Sequence, residues 1–454
     1  RHPMSIKIKD ITIDSIQDAI REQHDEFLLG VINELYAADI AEVMDELNLE
    51  EAKYLYTLLE KEEAAEVLME LEDDVRERFL ASFSTQEIAH EFIDNLDSDD
   101  AADLINELPD TMRGEILAHI EDRQQAQDIA DLLIYPTNSA GGLMGKELVK
   151  VHASWHVVTC IREMRRQAEE VENVYTVYVV DDDEKLVGML SLEKLLIASP
   201  RDKIETLFDS DVISVKATQK GEEVAQIMNK YDLVVLPVID ELGRLIGRIT
   251  IDDVVDFIKE EAERDYQLMS GITQDIESTD KIWEITQGRL FWLVVALFGG
   301  IIGSRVIANY EDQISINPEL AFFMPLIAAM GGNVGIQSSA LIVQGLANHT
   351  LSGGIFPKLM KELSVGLING LVCSAILMVY SYFFAPSLAL GLTVSVALMT
   401  VIIFASVFGS FVPLVLEKMK IDPALATGPF ITTSNDIIGL FIYFMIGRLM
   451  YGFF

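Results

Sequence analysis

Asp436 lies deep in a long apolar stretch, at the end of the run Gly428-Pro429-Phe430-Ile431-Thr432-Thr433-Ser434-Asn435-Asp436. An ionised carboxylate in such surroundings is costly unless it faces a wet cavity or a bound cation. Thr432, Thr433 and Asn435 crowd the same stretch with oxygen donors, the donor type that a hard divalent cation requires. Pro429 lacks an N–H and clashes with the preceding turn, so carbonyls around residues 426–428 are expected to be freed. A second unusual stretch joins Pro325 to Gly331-Gly332-Asn333-Val334-Gly335-Ile336-Gln337. Its glycines read either as small residues for close helix packing or as a helix break lining a cavity. Asn333 and Gln337 favour the cavity.

These residues need a scaffold. Apolar runs near 289–309, 319–345, 359–384, 388–416 and 424–452 are each long enough to cross a bilayer, which takes about 20 residues. The 346–362 loop carries Lys358 and Lys361, and the 417–423 loop carries Lys418 and Lys420. The 310–318 and 385–391 loops carry neither Lys nor Arg. Positive loops stay inside, so five spans with the N-terminus inside and the C-terminus outside satisfy every loop.

Charge divides the 454 residues sharply. After Gly288 the carboxylates are Glu311, Asp312, Glu319, Glu362, Glu417, Asp422 and Asp436, and seven Lys and Arg cancel them. The formal charge of −39 therefore sits entirely on the residues before the first span, while the mean hydropathy of the whole chain is still +0.27. Such self-repulsion excludes nucleic acid as a partner and favours divalent cations. Cys160 falls in the acidic half and Cys373 inside an apolar run, so there is no disulfide framework and a reducing compartment fits. The start, Arg1-His2-Pro3-Met4, reads as a tag remnant before a native Met4, with no signal peptide. The acidic half is then expected in the cytoplasm.

Residues 37–134 repeat a helical phrase, seen in Ala38–Leu47, Ala64–Leu71, Ile88–Leu96 and Ala101–Leu108. Repeats about 12 or 24 residues apart with apolar 3–4 periodicity predict a small superhelix of helix pairs. From about 143 to 263 the pattern alternates β and α. Val174–Val180, an acidic turn and Leu186–Leu190 recur as Leu233–Ile239, a turn at Asp240–Gly243 and Leu245–Thr250. An acidic helix from Asp252 to about Glu277 follows, with Asp253, Asp256, Glu260, Glu261 and Asp265 mostly three or four apart. Like charges so placed destabilise an isolated helix, which reads either as a solvated connector or as a surface that cations neutralise.

Catalytic motifs fail on inspection. His90-Glu91-Phe92-Ile93-Asp94 resembles a zinc-protease HExxH but ends in Asp. Gly141–Glu147 resembles a P-loop but is one residue short and has Glu where Ser or Thr is needed. No Ser-His-Asp or Cys-His arrangement has support, so no enzyme is expected.

The tandem repeat resembles a pair of CBS (cystathionine-β-synthase) domains. Thr250-Ile251-Asp252-Asp253 matches that family's ribose-contacting Ser/Thr-x-x-Asp, whereas Ser191-Leu192-Glu193-Lys194 departs from it. ATP at Thr250 and Asp253 is thus one ligand the second repeat could take. The whole order of parts resembles the MgtE family of magnesium channels and transporters. The motifs are Ser139–Met144, Gly247–Val255, Pro325…Gly331-Gly332-Asn333…Gln337 and Asp422-Pro423-Ala424…Pro429…Thr432…Asp436.

The resemblance implies a multidomain membrane protein. Its parts are a helical N domain (4–138), two α/β CBS domains (139–206 and 207–251), a connecting "plug" helix (252–280) and a five-helix membrane domain (288–454). It implies a homodimer in the cell membrane with a Mg²⁺ pore on its two-fold axis, lined by Asp436 with Asn333 and Thr432. It further implies regulatory Mg²⁺ held by Asp253, Asp256, Glu260, Glu261 and Asp265 of the plug helix, by Asp422, and by Asp97, Asp99 and Asp100 of the N domain. Competing readings are a broader carrier of Co²⁺ or Mn²⁺ and a CBS-regulated anion or solute carrier.

Overall fold

The structure is a computed structural model; it describes residues 13–168, 171, 173–273, 276, 282–347, 354–426 and 428–451. The segment expected to be a tag remnant, the start of the expected N domain and the end of the acidic stretch at Glu277 lie outside the described residues. The chain forms two compact units, Arg1–Glu260 and Glu261–Phe454.

In the first unit, short helices run from Ile13 to Leu132, mostly eight to ten residues each. Helices this short are marginal alone and depend on packing their apolar faces. Ile40, Met44, Leu68, Phe79, Phe92 and Ile105 are at most 1% exposed and share one core. Side chains start the helices: Asn48 accepts from the N–H groups of Glu50 and Glu51, and Ser84 from that of Glu87. The Ile88–Leu96 phrase departs from the other three. Instead of an α-helix it forms a π-helical turn, Ile88–Phe92, and a 3₁₀ turn, Ile93–Asn95.

Each β-α repeat forms a three-stranded sheet. In the first, β1 (Lys150–His152) pairs parallel with β2 (Val177–Val180), which pairs antiparallel with β3 (Leu186–Leu190). In the second, β4 (Val215–Lys216), β5 (Val235–Ile239) and β6 (Leu245–Thr250) repeat the order. The Asn138–Gly145 segment precedes the first repeat in sequence but bonds to the second. Ala140 and Gly141 donate to the carbonyls of Gln219 and Ala217, and Gly145 exchanges backbone hydrogen bonds with Arg248 of β6. The acidic helix follows β6 directly and spans Ile251–Met269, ending well before Glu277.

In the second unit five helices are long and apolar enough to span a membrane: Ile282–Ala308, Pro318–Ala347, Ile355–Phe384, Leu388–Lys418 and Pro429–Tyr451. We refer to them as spans one to five. Span one begins seven residues earlier than the hydropathy suggests, because Ile282–Gly288 continues the same helix. Two expectations are corrected. Span two is a continuous α-helix from Met324 to Ala347, with no break at Gly331–Asn333. Its glycines serve packing: Gly331 lies against Val401 of span four and Gly335 against Asn435 and Ile431 of span five. Pro429 does not kink span five but opens it, where its missing N–H costs nothing. A separate 3₁₀ turn, Pro423–Ala426, precedes it. The Gly428 carbonyl is not free, since it accepts from both the N–H and Oγ1 of Thr432.

Candidate cation sites

In the first unit, carboxylates gather where the Ser98–Glu107 helix meets the segment entering the repeats. Oxygens of Asp97, Asp99 and Glu147 all lie within 4.8 Å of one another. Ser98 fixes Glu147 by donating to it through its N–H (3.1 Å) and its Oγ (2.9 Å). A Cβ on Gly145 would stand 2.6 Å from Asp99 Oδ2, so any side chain here would displace that carboxylate. From the second repeat comes Asp253, whose carboxylate accepts from the N–H (3.0 Å) and hydroxyl of Thr250.

Gathering these charges has an electrostatic cost. Burial, then the charges of Asp253, Asp100, Glu147 and Asp97, hold the Asp99 carboxyl well above the usual carboxylate range. Burial, then Asp253 and Asp97, push Asp100 up to about 7. Burial also raises Asp253, against the lowering effect of its two bonds from Thr250. Among the described residues no Lys or Arg forms an ion pair with Asp99, Asp100 or Asp253. Like charges clustered in this way favour either retained protons or a cation. The donors are all oxygen, which suits Mg²⁺.

In the second unit, Thr432 and Asp436 stand one turn apart on span five and face Gly332 of span two. A Cβ on Gly332 would lie 3.2 Å from Thr432 Cγ2 and 3.7 Å from Asp436 Oδ1. Glycine thus keeps span two close to the carboxylate. Asp436 is half-buried and, among the described residues, has no ion-pair partner. Seven residues beyond Pro429, it sits about 10 Å into the helix. On the next face of span five, the Thr433 methyl packs on Gly299 and Leu440 packs on Gly303 of span one. Asn435 is 1% exposed, and neither its amide nitrogen nor its oxygen finds a hydrogen-bond partner among the described residues.

The chain matches three family models: the intracellular N domain of MgtE over residues 35–138, CBS domains over 140–201 and 204–260, and the MgtE divalent cation transporter over 324–446. It is 33% identical to the magnesium transporter MgtE of Thermus thermophilus across 96% of this chain and 98% of that one. The chain belongs to the MgtE family. It is also 35% identical to the magnesium transporter MgtE of Bacillus subtilis over 69% of this chain and 70% of that one. A solved cytosolic domain of the Mg²⁺ channel MgtE in complex with ATP is similar to it at 34% identity and a TM-score of 0.51. That likeness covers 54% of this chain and all of the solved one. The soluble part of a magnesium transporter is similar at 28% identity and a TM-score of 0.50, over 55% of this chain and 98% of the other. With its five candidate spans, this MgtE-family chain is a multi-pass membrane protein.

The expected site residues of this MgtE-family chain fall into separate places. Asp97, Asp99, Asp100 and Asp253 come together in the first unit. Asp256 and Glu260 are exposed on the acidic helix. Glu261 is half-buried and paired with Arg264 at 3.0 Å, and Asp265 is half-buried further along. Asp422 accepts from the Ala424 N–H at 2.8 Å, so part of its role is to shape the turn before span five. Asn333 is exposed on span two, and its neighbour Gly332 lies against Asp436. Glu147 belongs to the cluster as well, and no local spacing marks its contact with Ser98, which is 49 residues away. Thr250 and Asp253, the nucleotide pair, are bonded to each other and cap the acidic helix.

Proposed function

We propose that this MgtE-family chain imports Mg²⁺ through a pore on the two-fold axis of a homodimer, and that cytoplasmic Mg²⁺ shuts it by negative feedback. The observation that carries the reading is the pairing of Asp436 and Thr432 with Gly332 between spans two and five. Two Asp436 carboxylates facing one axis would attract a dication, and the Thr432 hydroxyls would hold its water. Mg²⁺ releases water reluctantly, so a site with few carboxylates suits passage of a largely hydrated ion. The relatives' names support Mg²⁺ as cargo. Span orientation follows from the Lys-bearing loops, with the N-terminal unit in the cytoplasm and the C-terminus outside.

Regulation rests on the carboxylate cluster of the first unit. Asp97, Asp99, Asp100, Glu147 and Asp253 would hold regulatory Mg²⁺. Asp256, Glu260, Glu261, Asp265 and Asp422 would supply further oxygens as the acidic helix closes the pore. Loss of Mg²⁺ would leave these charges repelling one another and open the path. An ATP site at Thr250 and Asp253 is a second regulatory reading, supported by the ATP-bound relative.

Vesicle flux of Mg²⁺ measured against Co²⁺, Mn²⁺ and chloride tests the cargo. Asp436→Ala should abolish Mg²⁺ entry, and normal entry would make Asp436 structural. Asp253, Asp256 and Glu261 changed together to Ala should relieve inhibition by internal Mg²⁺, and unchanged inhibition would refute the feedback site.

A further inference from the structure

The His90-to-Asp94 motif failed as a protease signature, yet the fold gives it a third donor. His90 Nδ1 lies 3.0 Å from Asp94 Oδ2 and 3.7 Å from Glu121 Oε1. In a tetrahedral zinc site with bonds of roughly 2.0–2.1 Å, neighbouring donors stand about 3.3 Å apart, between these two values. Glu91, the residue that would act as a base in a protease, turns away to pair with Lys61 at 3.0 Å.

The arrangement exceeds what a histidine–aspartate pair needs. One Nδ1 proton satisfies one carboxylate, but two converge on this nitrogen. The Glu121 side chain is 79% exposed and free to extend into water, yet it reaches inward towards Asp94 and adds like-charge repulsion. A cation between the three groups would remove that cost. The ligands are also held in place. Asp94 Oδ1 accepts from the Glu121 N–H at 3.0 Å, and the Asn95 amide donates to the carbonyls of His90 (3.2 Å) and Glu91 (3.1 Å). The π-helical turn, an element often found at functional positions, carries His90, and the 3₁₀ turn that follows it brings Asp94 within reach.

We propose that His90, Asp94 and Glu121 form a binding site for a nitrogen-preferring first-row divalent cation of the zinc class. The donor set decides the class. Imidazole suits Zn²⁺, Co²⁺ or Ni²⁺, whereas Mg²⁺ takes oxygen and keeps its water. The exposed Glu121 gives the ion a way in. The site would let this magnesium transporter's N domain register a competing metal without occupying its all-oxygen cluster.

The test uses the full-length protein in detergent with millimolar Mg²⁺ present, so that oxygen sites are filled, and Co²⁺ as a coloured probe. The expected result is one Co²⁺ per chain with the intense visible absorption of a low-coordinate nitrogen–oxygen site, displaced by equimolar Zn²⁺. His90→Gln should abolish the signal. Glu121→Gln, a change at an exposed side chain that leaves the core untouched, should weaken Co²⁺ binding at least about tenfold. Release of Co²⁺ by Mg²⁺, or equal affinity in wild type and Glu121→Gln, would overturn the site. Either result would leave His90 as a structural hydrogen-bonding partner of Asp94 and no metal ligand.

Discussion

Raising the pH in the absence of divalent cations should loosen the contact between the Ser98–Glu107 helix and the second CBS domain. Asp100 has its carboxyl pushed up to about 7, and Asp99 is raised as well. An opened or unfolded chain would return Asp100 to about 3.8. Between those values the packed form binds more protons than the open form, so stability falls as pH rises through this window and levels off above about 8. A full shift of about three units corresponds to roughly 4 kcal/mol. Residual solvent around a half-buried side chain and partial opening reduce this to about 2 kcal/mol, or roughly 30-fold in an opening equilibrium. Hydrogen exchange at the amides of Ala101–Glu107, corrected for intrinsic pH dependence, reads that equilibrium in the full-length protein. Protection should drop about 30-fold from pH 5 to pH 8 in chelator, and millimolar Mg²⁺ at pH 8 should restore it. In Asp100→Asn much of the pH dependence should vanish. Protection that rises with pH, or that Mg²⁺ leaves unchanged at pH 8, would refute the reasoning.

Three further outcomes follow from the packing. Gly145→Ala places a Cβ 2.6 Å from Asp99 Oδ2 and should weaken Mg²⁺ protection of the cluster in the same exchange assay, while leaving the spans untouched. Gly409→Ala drives a methyl into the backbone carbonyl of Gly335, so spans two and four must part. It should cost about 1–3 kcal/mol, seen as a lower Tm in detergent, and an unchanged Tm would show that the spans have slack. Gly332→Val, which fills the space beside Thr432 and Asp436, should cut Mg²⁺ flux far more than it cuts Tm, and equal losses would mark Gly332 as a packing residue only.

Periodicity and hydropathy are local signals, and the parts they govern were legible. The five spans, the repeated α/β sheets and the helical N-terminal region follow from runs of ten to thirty residues. The misreadings arose where tertiary contacts overrode local propensity. Gly331, Gly332 and Gly335 read as a helix break because glycine disfavours helix in water. Within the bundle, Val401, Thr432 and Asn435 fill the space a side chain would need, and the helix continues. Pro429 read as a kink because the apolar run began before it, yet the 3₁₀ turn at Pro423–Ala426 moves the helix start onto the proline. Of the carboxylate cluster, Asp97, Asp99 and Asp100 were visible as neighbours in sequence. Their meeting with Glu147 and Asp253 was not, because the first contact is 49 residues long and the second depends on the Asn138–Gly145 segment crossing to β6.

That crossing explains why the second repeat, rather than the first, is tied to the acidic helix cluster. Gly145 exchanges hydrogen bonds with Arg248 of β6 on one side and abuts Asp99 on the other. Two residues beyond Arg248, Thr250 anchors Asp253 and starts the acidic helix. A cation drawn to Asp99 and Asp253 would therefore bind the N-terminal helices to the first turn of that helix without a long lever between them. The first repeat offers no equivalent, since Ser191 caps the Leu192–Ile197 helix through the Lys194 N–H, with a lysine where the second repeat has Asp253. Introducing Lys194→Asp should leave Mg²⁺ protection of Ala101–Glu107 unchanged, whereas Asp253→Lys should abolish it. Equal effects from the two changes would mean that bulk charge, rather than this chain of contacts, governs the response.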